Sequence, residues 1–153
     1  MDEREVINQG DALCSFYGDN LIETAAYVED YYTNRIKVLK AKDMPFENSP
    51  QGILKHMIHE KMNTVENCVD IYMQFLGPGQ ASGKHRHLAE EVFFVMEGAG
   101  YDLHWDVQFS VDDKFHWEWE KEPRRFDWKR GDFVYIPPYV AHKHHNSDAD
   151  NPA

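Results

Sequence analysis

Alternating apolar and polar side chains run through the second part of the chain. The clearest examples are residues 101–109 and 115–120, where large apolar side chains alternate with polar ones. Because successive side chains of a strand point to opposite faces of a sheet, this alternation predicts strands. Further strands are predicted at 53–60, 68–76 and 125–129. Glycine and proline at 77–79 predict a turn, and the glycines at 97–100 predict the reversal of a β-hairpin.

The first third of the chain has a different pattern. Leu21, Ile22, Ala25 and Ala26 recur at helical spacing, which predicts a helix over 20–34. The residues before about 18 have no clear period, so we interpret them as an N-terminal arm. Residues 35–42 alternate weakly and predict a strand, and prolines and a glycine mark a loop at 44–52. The expected organisation is an arm, helix and loop at 1–52, followed by a β-domain at 53–153.

Composition excludes several function classes. The 153 residues contain 16 Lys and Arg against 27 Asp and Glu, a formal charge of −11. Such a charge offers no attraction to nucleic acid or to anionic membranes. The chain also shows no signal-peptide pattern and no apolar run of membrane-spanning length, so a cytoplasmic protein is expected. Cys14 and Cys68 lack the spacing of a metal or redox motif.

The candidate chemistry lies in two short stretches. Residues 79–98 contain His85, His87 and Glu91, which strand alternation can direct to one side. Residues 131–146 add His142 as the natural fourth ligand. Two or more imidazoles with a carboxylate form a nitrogen and oxygen donor set that suits a divalent transition metal, and the absence of sulfur argues against a thiolate zinc site.

These stretches resemble the two conserved motifs of the cupin superfamily. The first matches at Gly79, His85, His87, Glu91 and Gly98. The second matches at Gly131, Pro137, His142 and Asn146, but Tyr139 stands where the family usually has glycine. The resemblance implies an all-β cupin barrel, also described as a jelly roll, beside the N-terminal arm and helix. It also implies that His85, His87, Glu91 and His142 bind one metal, with Fe(II) favoured and Mn, Ni, Co or Zn as alternatives.

The second motif carries a further resemblance. Residues 142–146, His-Lys-His-His-Asn, are similar to the second motif of gentisate and hydroxynaphthoate ring-cleaving dioxygenases, in which another histidine lies two positions on. This implies a substrate or supporting role for His144, with a simple packing role as the alternative. Those enzymes generally lack the carboxylate that Glu91 provides here. We expect His145 to face away from the metal, and His56, His59, His104 and His116 to have packing or surface roles.

Three hypotheses for the function follow. The first is a dioxygenase that acts on a small hydroxylated aromatic or other organic acid. The second is an isomerase or lyase of a sugar or hydroxy acid, with His144 or Tyr135 as the base. The third is a non-catalytic protein that binds a metal or a small ligand. All three imply a small-molecule partner, and a homodimer is expected because symmetric association would cover an unpaired sheet edge.

Overall fold

A computed structural model of the chain describes residues 20–25, 28, 33–62 and 68–153. They belong to two compact units: Met1–Leu39 with Ile58–Asp70, and Lys40–Met57 with Ile71–Ala153. In the first unit, residues 20–25, 28 and 33–34 are α-helical, in agreement with the helix predicted at 20–34. The predicted N-terminal arm lies outside the described residues. Among the residues described, every helix is too short or too polar to cross a lipid bilayer.

Nearly all regular structure is β. Two short 3₁₀ helices span Ala41–Asp43 and Glu60–Met62. The strands are β1 (Phe46–Ser49), β2 (Gly52–Ile58), β3 (Ile71–Phe75), β4 (Glu91–Phe94), β5 (Ala99–Trp105), β6 (Val107–Val111), β7 (Phe115–Trp119), β8 (Arg124–Lys129), β9 (Phe133–Ile136) and β10 (Ala141–Asn146). The predicted strand at 101–109 is divided at Asp106 into β5 and β6. The predicted all-β class is confirmed.

The strands form four small sheets. Their orders are β1-β2-β3, β10-β5-β8, β4-β9 and β6-β7. The pairings β1–β2, β5–β10, β5–β8, β4–β9 and β6–β7 are all antiparallel. The predicted division after residue 52 falls at the start of β2, which pairs with β1. Two strands on distant parts of the sequence, β5 and β10, thereby become neighbours, and this pairing positions the site described below.

Three local predictions are wrong. The loop predicted at 44–52 contains strand β1, which pairs with β2. Residues 97–100 do not close a hairpin, because β4 pairs with β9 whereas β5 pairs with β10 and β8. Gly98, at φ 84, instead carries the chain from one sheet to the next. The predicted strand at 35–42 is irregular up to Lys40 and then becomes 3₁₀. Its apolar residue Val38 is 70% exposed, so alternation there has no buried face to support it.

The core is small and partly polar. Its buried apolar residues are Leu54, Leu76, Val95, Trp128, Ile136, Val140 and Ala141. The buried polar residues are Ser82, Asp102, His104, His142, His144 and Asn146. Of the aromatic residues, Trp128 is in the core, whereas Trp117, Phe126 and Tyr135 are exposed. Alternation in the sequence predicted that β5 has two different faces. It did not show that the face with Asp102 and His104 is the buried one.

Candidate metal centre

Pairing between β5 and β10 brings histidines and an aspartate together. His142 lies opposite His104 and His144 lies opposite Asp102 in the antiparallel register. Residues directly opposite each other share a face, and these four are all at most 4% exposed. An isolated bridge pairs His85 with His142 and adds a histidine from the first motif. The backbone therefore builds a buried polar face from both motifs.

Backbone carbonyls fix the tautomers of three histidines. The Nδ1 atoms of His85, His142 and His87 donate to the carbonyls of Gly83 (3.0 Å), Val140 (2.9 Å) and Ala89 (2.6 Å). A carbonyl can only accept, so each Nδ1 carries the proton. At His85 and His142 the Nε2 lone pair is then free to bind a metal, which is the usual arrangement of liganding histidines, whereas His87 Nε2 lies 3.0 Å from Glu91 Oε2.

Two of these nitrogens are buried without a hydrogen-bond partner among the described residues: Nε2 of His85 and Nε2 of His142. The His142 atom lies 3.5 Å from Glu91 Oε2, which is long for a hydrogen bond. Leaving a polar atom buried and unpaired costs about 1–3 kcal/mol. A bound metal ion would remove this cost at both nitrogens.

The donor atoms converge. One ligand atom from each of His85, Glu91, His142 and His144 lies within 4.8 Å of all the others. A set of three imidazoles and one carboxylate fits a divalent transition metal, as the sequence predicted. His87, a predicted ligand, is outside this group, although its Nε2 lies 3.0 Å from Glu91 Oε2.

Charges at the site are strongly coupled. Burial alone would raise the pKa of Glu91, but the neighbouring imidazoles of His142 and His144 hold it well below its usual range. Burial would also lower the pKa of His144, yet the neighbouring carboxylates of Asp102 and Glu91 raise it to about 9, so a metal at Nε2 would have to displace a proton. Burial lowers the pKa of His85.

Asp102 is the residue that sequence reasoning missed. Burial would raise its pKa, but hydrogen bonds from His104, His144 and Trp128 bring it to about 2. His144 Nδ1 lies 3.0 and 3.1 Å from the two carboxylate oxygens, and Trp128 Nε1 donates to Oδ1 at 2.8 Å. The sequence pattern that could have identified Asp102 is its position two residues before His104 in β5, which places both side chains on one face.

Tyr135 is not part of the cluster. In the β4–β9 register Tyr135 pairs with Val92, whereas Glu91 pairs with Ile136. Successive residues face opposite sides, so Tyr135 lies on the face away from Glu91 and is 53% exposed. The position of Tyr135 therefore lends no support to its predicted role as a base at the metal, which stays a prediction.

The other predicted histidines are placed as follows. His145 lies on the opposite face of β10 from His144 and stacks on Tyr101 with centroids 4.6 Å apart. His104 is buried, with Nε2 3.4 Å from Asp102 Oδ2 and its ring packed on Phe126 at 4.7 Å. His145 thus faces away from the cluster, as expected.

Tyr139 occupies the turn where a glycine was expected. Its φ is 65, the left-handed conformation that glycine adopts readily, and it is the one described residue other than glycine with positive φ. Its amide donates to the carbonyl of His87 at 3.1 Å, and its carbonyl accepts from Trp119 Nε1 at 3.2 Å. The turn therefore has the left-handed conformation typical of glycine, although tyrosine adopts it less favourably.

Solvent reaches the cluster past two side chains. The side chains of His87 and Glu91 are 34% and 17% exposed, whereas those of His142 and His144 are at most 4% exposed. A separate depression of about 290 Å³ borders His85 and Lys84 on the side of β1. Glu91, His142 and His144 do not line it. The open side of the cluster is thus the His87 side.

The antiparallel sheets and the histidine and glutamate cluster define a protein of the cupin type with a candidate metal centre. Residues 31–152 match the family described as auxin binding protein. The chain therefore belongs to this family, which is of the cupin type. No curated protein matches the chain.

Two solved structures resemble the chain in fold. The CENP-C cumin domain of Drosophila melanogaster has 14% identity and a TM-score of 0.52, over 75% of this chain and 71% of that one. Drosophila melanogaster CENP-C bound to CAL1 has 11% identity and a TM-score of 0.52, over 87% of this chain and 93% of that one. At such low identity the likeness concerns the fold alone.

Proposed function

We propose that the chain binds one divalent transition metal and uses it to hold a small organic acid. The observation that carries this proposal is the pair of buried, unpartnered nitrogens, Nε2 of His85 and Nε2 of His142, beside the Glu91 carboxylate. The predicted ligands are His85, His87, Glu91 and His142. When bound, the metal would supply a Lewis acid and a template for an anionic ligand. Fe(II) is the favoured ion, with Mn, Ni, Co or Zn as alternatives.

The class of ligand follows from charge and from the family. A divalent cation balanced by the single Glu91 carboxylate leaves a positive centre, which favours a carboxylate. The family is described as auxin binding protein, which favours a small-molecule ligand. Phe93 lies edge-on to the His144 ring, with centroids 5.2 Å apart, and gives the cluster an apolar wall. A ligand with a carboxylate and an aromatic body fits these features best.

A second candidate function is oxygen-dependent ring cleavage of a hydroxylated aromatic acid. The observation in its favour is that His144 lies within the cluster, as the resemblance to ring-cleaving dioxygenases implies. The isomerase or lyase alternative favours His144 as the base, because Tyr135 is on the other face of its sheet. Both reactions would need the same metal centre.

Binding of phenylacetate to metal-loaded and metal-free protein tests the main proposal. Phenylacetamide, which has the same shape without the negative charge, is the matched control. We expect phenylacetate to bind to the loaded protein, and to bind at least 10-fold more weakly when the metal is removed or when the amide replaces the acid, a loss of about 1.4 kcal/mol. Equal binding of acid and amide, or binding independent of metal, would contradict the proposal.

Oxygen uptake separates the second candidate from the first. Protein loaded with Fe(II) is supplied with gentisate, and consumption of oxygen is followed together with loss of the aromatic ring. Stoichiometric consumption would establish the dioxygenase. Binding of the acid without oxygen consumption leaves the binding function and rejects ring cleavage of this substrate.

A further inference from the structure

His144 is a buried histidine with two carboxylate neighbours. Its Nε2 lies 3.5 Å from Glu91 Oε1, and its Nδ1 lies 3.0 Å from Asp102 Oδ1. The ring centroids of His142 and His85 are 5.3 and 5.7 Å from that of His144. Its Nε2 therefore points into the cluster, while its Nδ1 points to the strand behind.

Asp102 is held as firmly as His144. Its side chain is fully buried, and Trp128 Nε1 donates to the oxygen that His144 Nδ1 also contacts. The backbone of His144 is fixed as well, because its amide donates to Ser82 Oγ at 2.9 Å. Burying a carboxylate lowers the stability of the fold unless the carboxylate is paired. If position 102 had only to fill the core, an apolar side chain would be more favourable.

We propose that His144 is a ligand of the metal and that Asp102 is the positioning residue that holds its ring with Nε2 toward the ion. This inference rests on the proposed metal centre and extends its ligand set beyond the four predicted residues. A carboxylate that accepts the second ring N–H of a liganding histidine fixes both tautomer and orientation. The Asp102–His144 pair has this arrangement, with a carboxylate in the place that backbone carbonyls take at His85 and His142.

His144 is also better placed than His87. The group whose ligand atoms lie within 4.8 Å of one another contains His144 and does not contain His87. The His87 side chain is 34% exposed, whereas that of His144 is 4% exposed. A buried and pre-oriented imidazole loses less freedom on binding, so His144 should contribute more to affinity than His87.

The first test measures zinc affinity of the full chain by competition with a chromophoric chelator. We expect His144→Ala to weaken binding by about 100-fold or more, beyond the loss of about 10–100-fold that removal of a residue behind a ligand causes. His87→Ala should cost less. His104→Ala is the matched control, because His104 is equally buried and also contacts Asp102. A loss at His144 no larger than that at His104 would overturn the proposal.

The role of Asp102 is tested with a double-mutant cycle. Asp102→Asn keeps the side-chain shape, and we expect it to lower zinc affinity by about 10–100-fold. In the His144→Ala background the same substitution should have no effect, because Asp102 acts through His144. Equal losses in both backgrounds would show that Asp102 supports the fold instead, and circular dichroism of each variant reports its folding.

A measurement on the unsubstituted protein avoids any problem with folding of variants. In cobalt-loaded protein, the Nδ1 proton of a liganding His144 should give a strongly shifted NMR signal that exchanges slowly with D2O, since Asp102 buries it. Loss of this signal in His144→Gln would assign it. If cobalt-loaded protein gives no shifted signal that disappears in His144→Gln, His144 only bridges Glu91 and Asp102 and the inference fails. If the protein binds neither zinc nor cobalt, the proposed metal function itself fails.

Discussion

His85 and His142 are joined by two backbone hydrogen bonds, with the amide of each donating to the carbonyl of the other at 3.0 and 2.8 Å. Their ring centroids are 4.2 Å apart. This is the hydrogen-bonded pair of an antiparallel ladder, formed between two motifs that are distant in sequence. Backbone pairing thus brings two histidines of the candidate centre together.

Replacement of His142 by Ala should weaken zinc binding by about 100-fold or more, because it removes a donor whose position the backbone fixes. His104→Ala deletes an equally buried histidine directly opposite in the register and serves as the control. Affinity is measured by chelator competition. Equal losses from the two substitutions would mean that the assignment of His142 to the metal is wrong.

Glu91→Ala should release the metal, because Glu91 is the carboxylate of the cluster and contacts His142 and His144. Glu90→Ala is the control, because Glu90 is exposed and precedes β4. Metal content after dialysis is compared for the two variants. Retained metal together with ring cleavage in Glu91→Ala would instead indicate a three-histidine dioxygenase.

Tyr139→Gly should stabilise the protein. A residue with a Cβ loses about 1–2 kcal/mol in the left-handed conformation, and glycine loses about 0.5–1 kcal/mol of chain entropy, so a net gain of about 0.5–1 kcal/mol is expected. Gly131→Ala, at φ 91, should have the opposite effect. Urea unfolding measures both changes. A Tyr139→Gly variant less stable than the parent would show that the side chain supports the turn.

A homodimer is expected because β4 and β9 expose two apolar cross-strand pairs, Val92 with Tyr135 and Phe94 with Phe133. Contact with water across such a face is unfavourable, and symmetric association can cover it. Light scattering at low micromolar concentration should give a mass twice the 18.0 kDa of the chain. A mass of one chain at every concentration would contradict this expectation.

The fixed spacing of the motifs explains why much of the fold and the cluster could be predicted. His85, Glu91 and His142 could be predicted to converge because the gaps between glycines and ligands in this chain equal those of the cupin motifs. The inward position of Asp102 could not be predicted, because alternation in β5 defines two faces without saying which is buried. Which face of the sheet Tyr135 occupies could not be predicted either, because it depends on the register between β4 and β9.

The metal content of the full chain tests the central claim most directly. Protein is freed of metal with a chelator, reconstituted separately with Fe(II), Mn, Ni, Co and Zn, dialysed, and analysed for its elements. The account predicts one equivalent of at least one of these ions per chain, and loss of that equivalent in His142→Ala. A ratio near zero for all five ions in folded protein would contradict it.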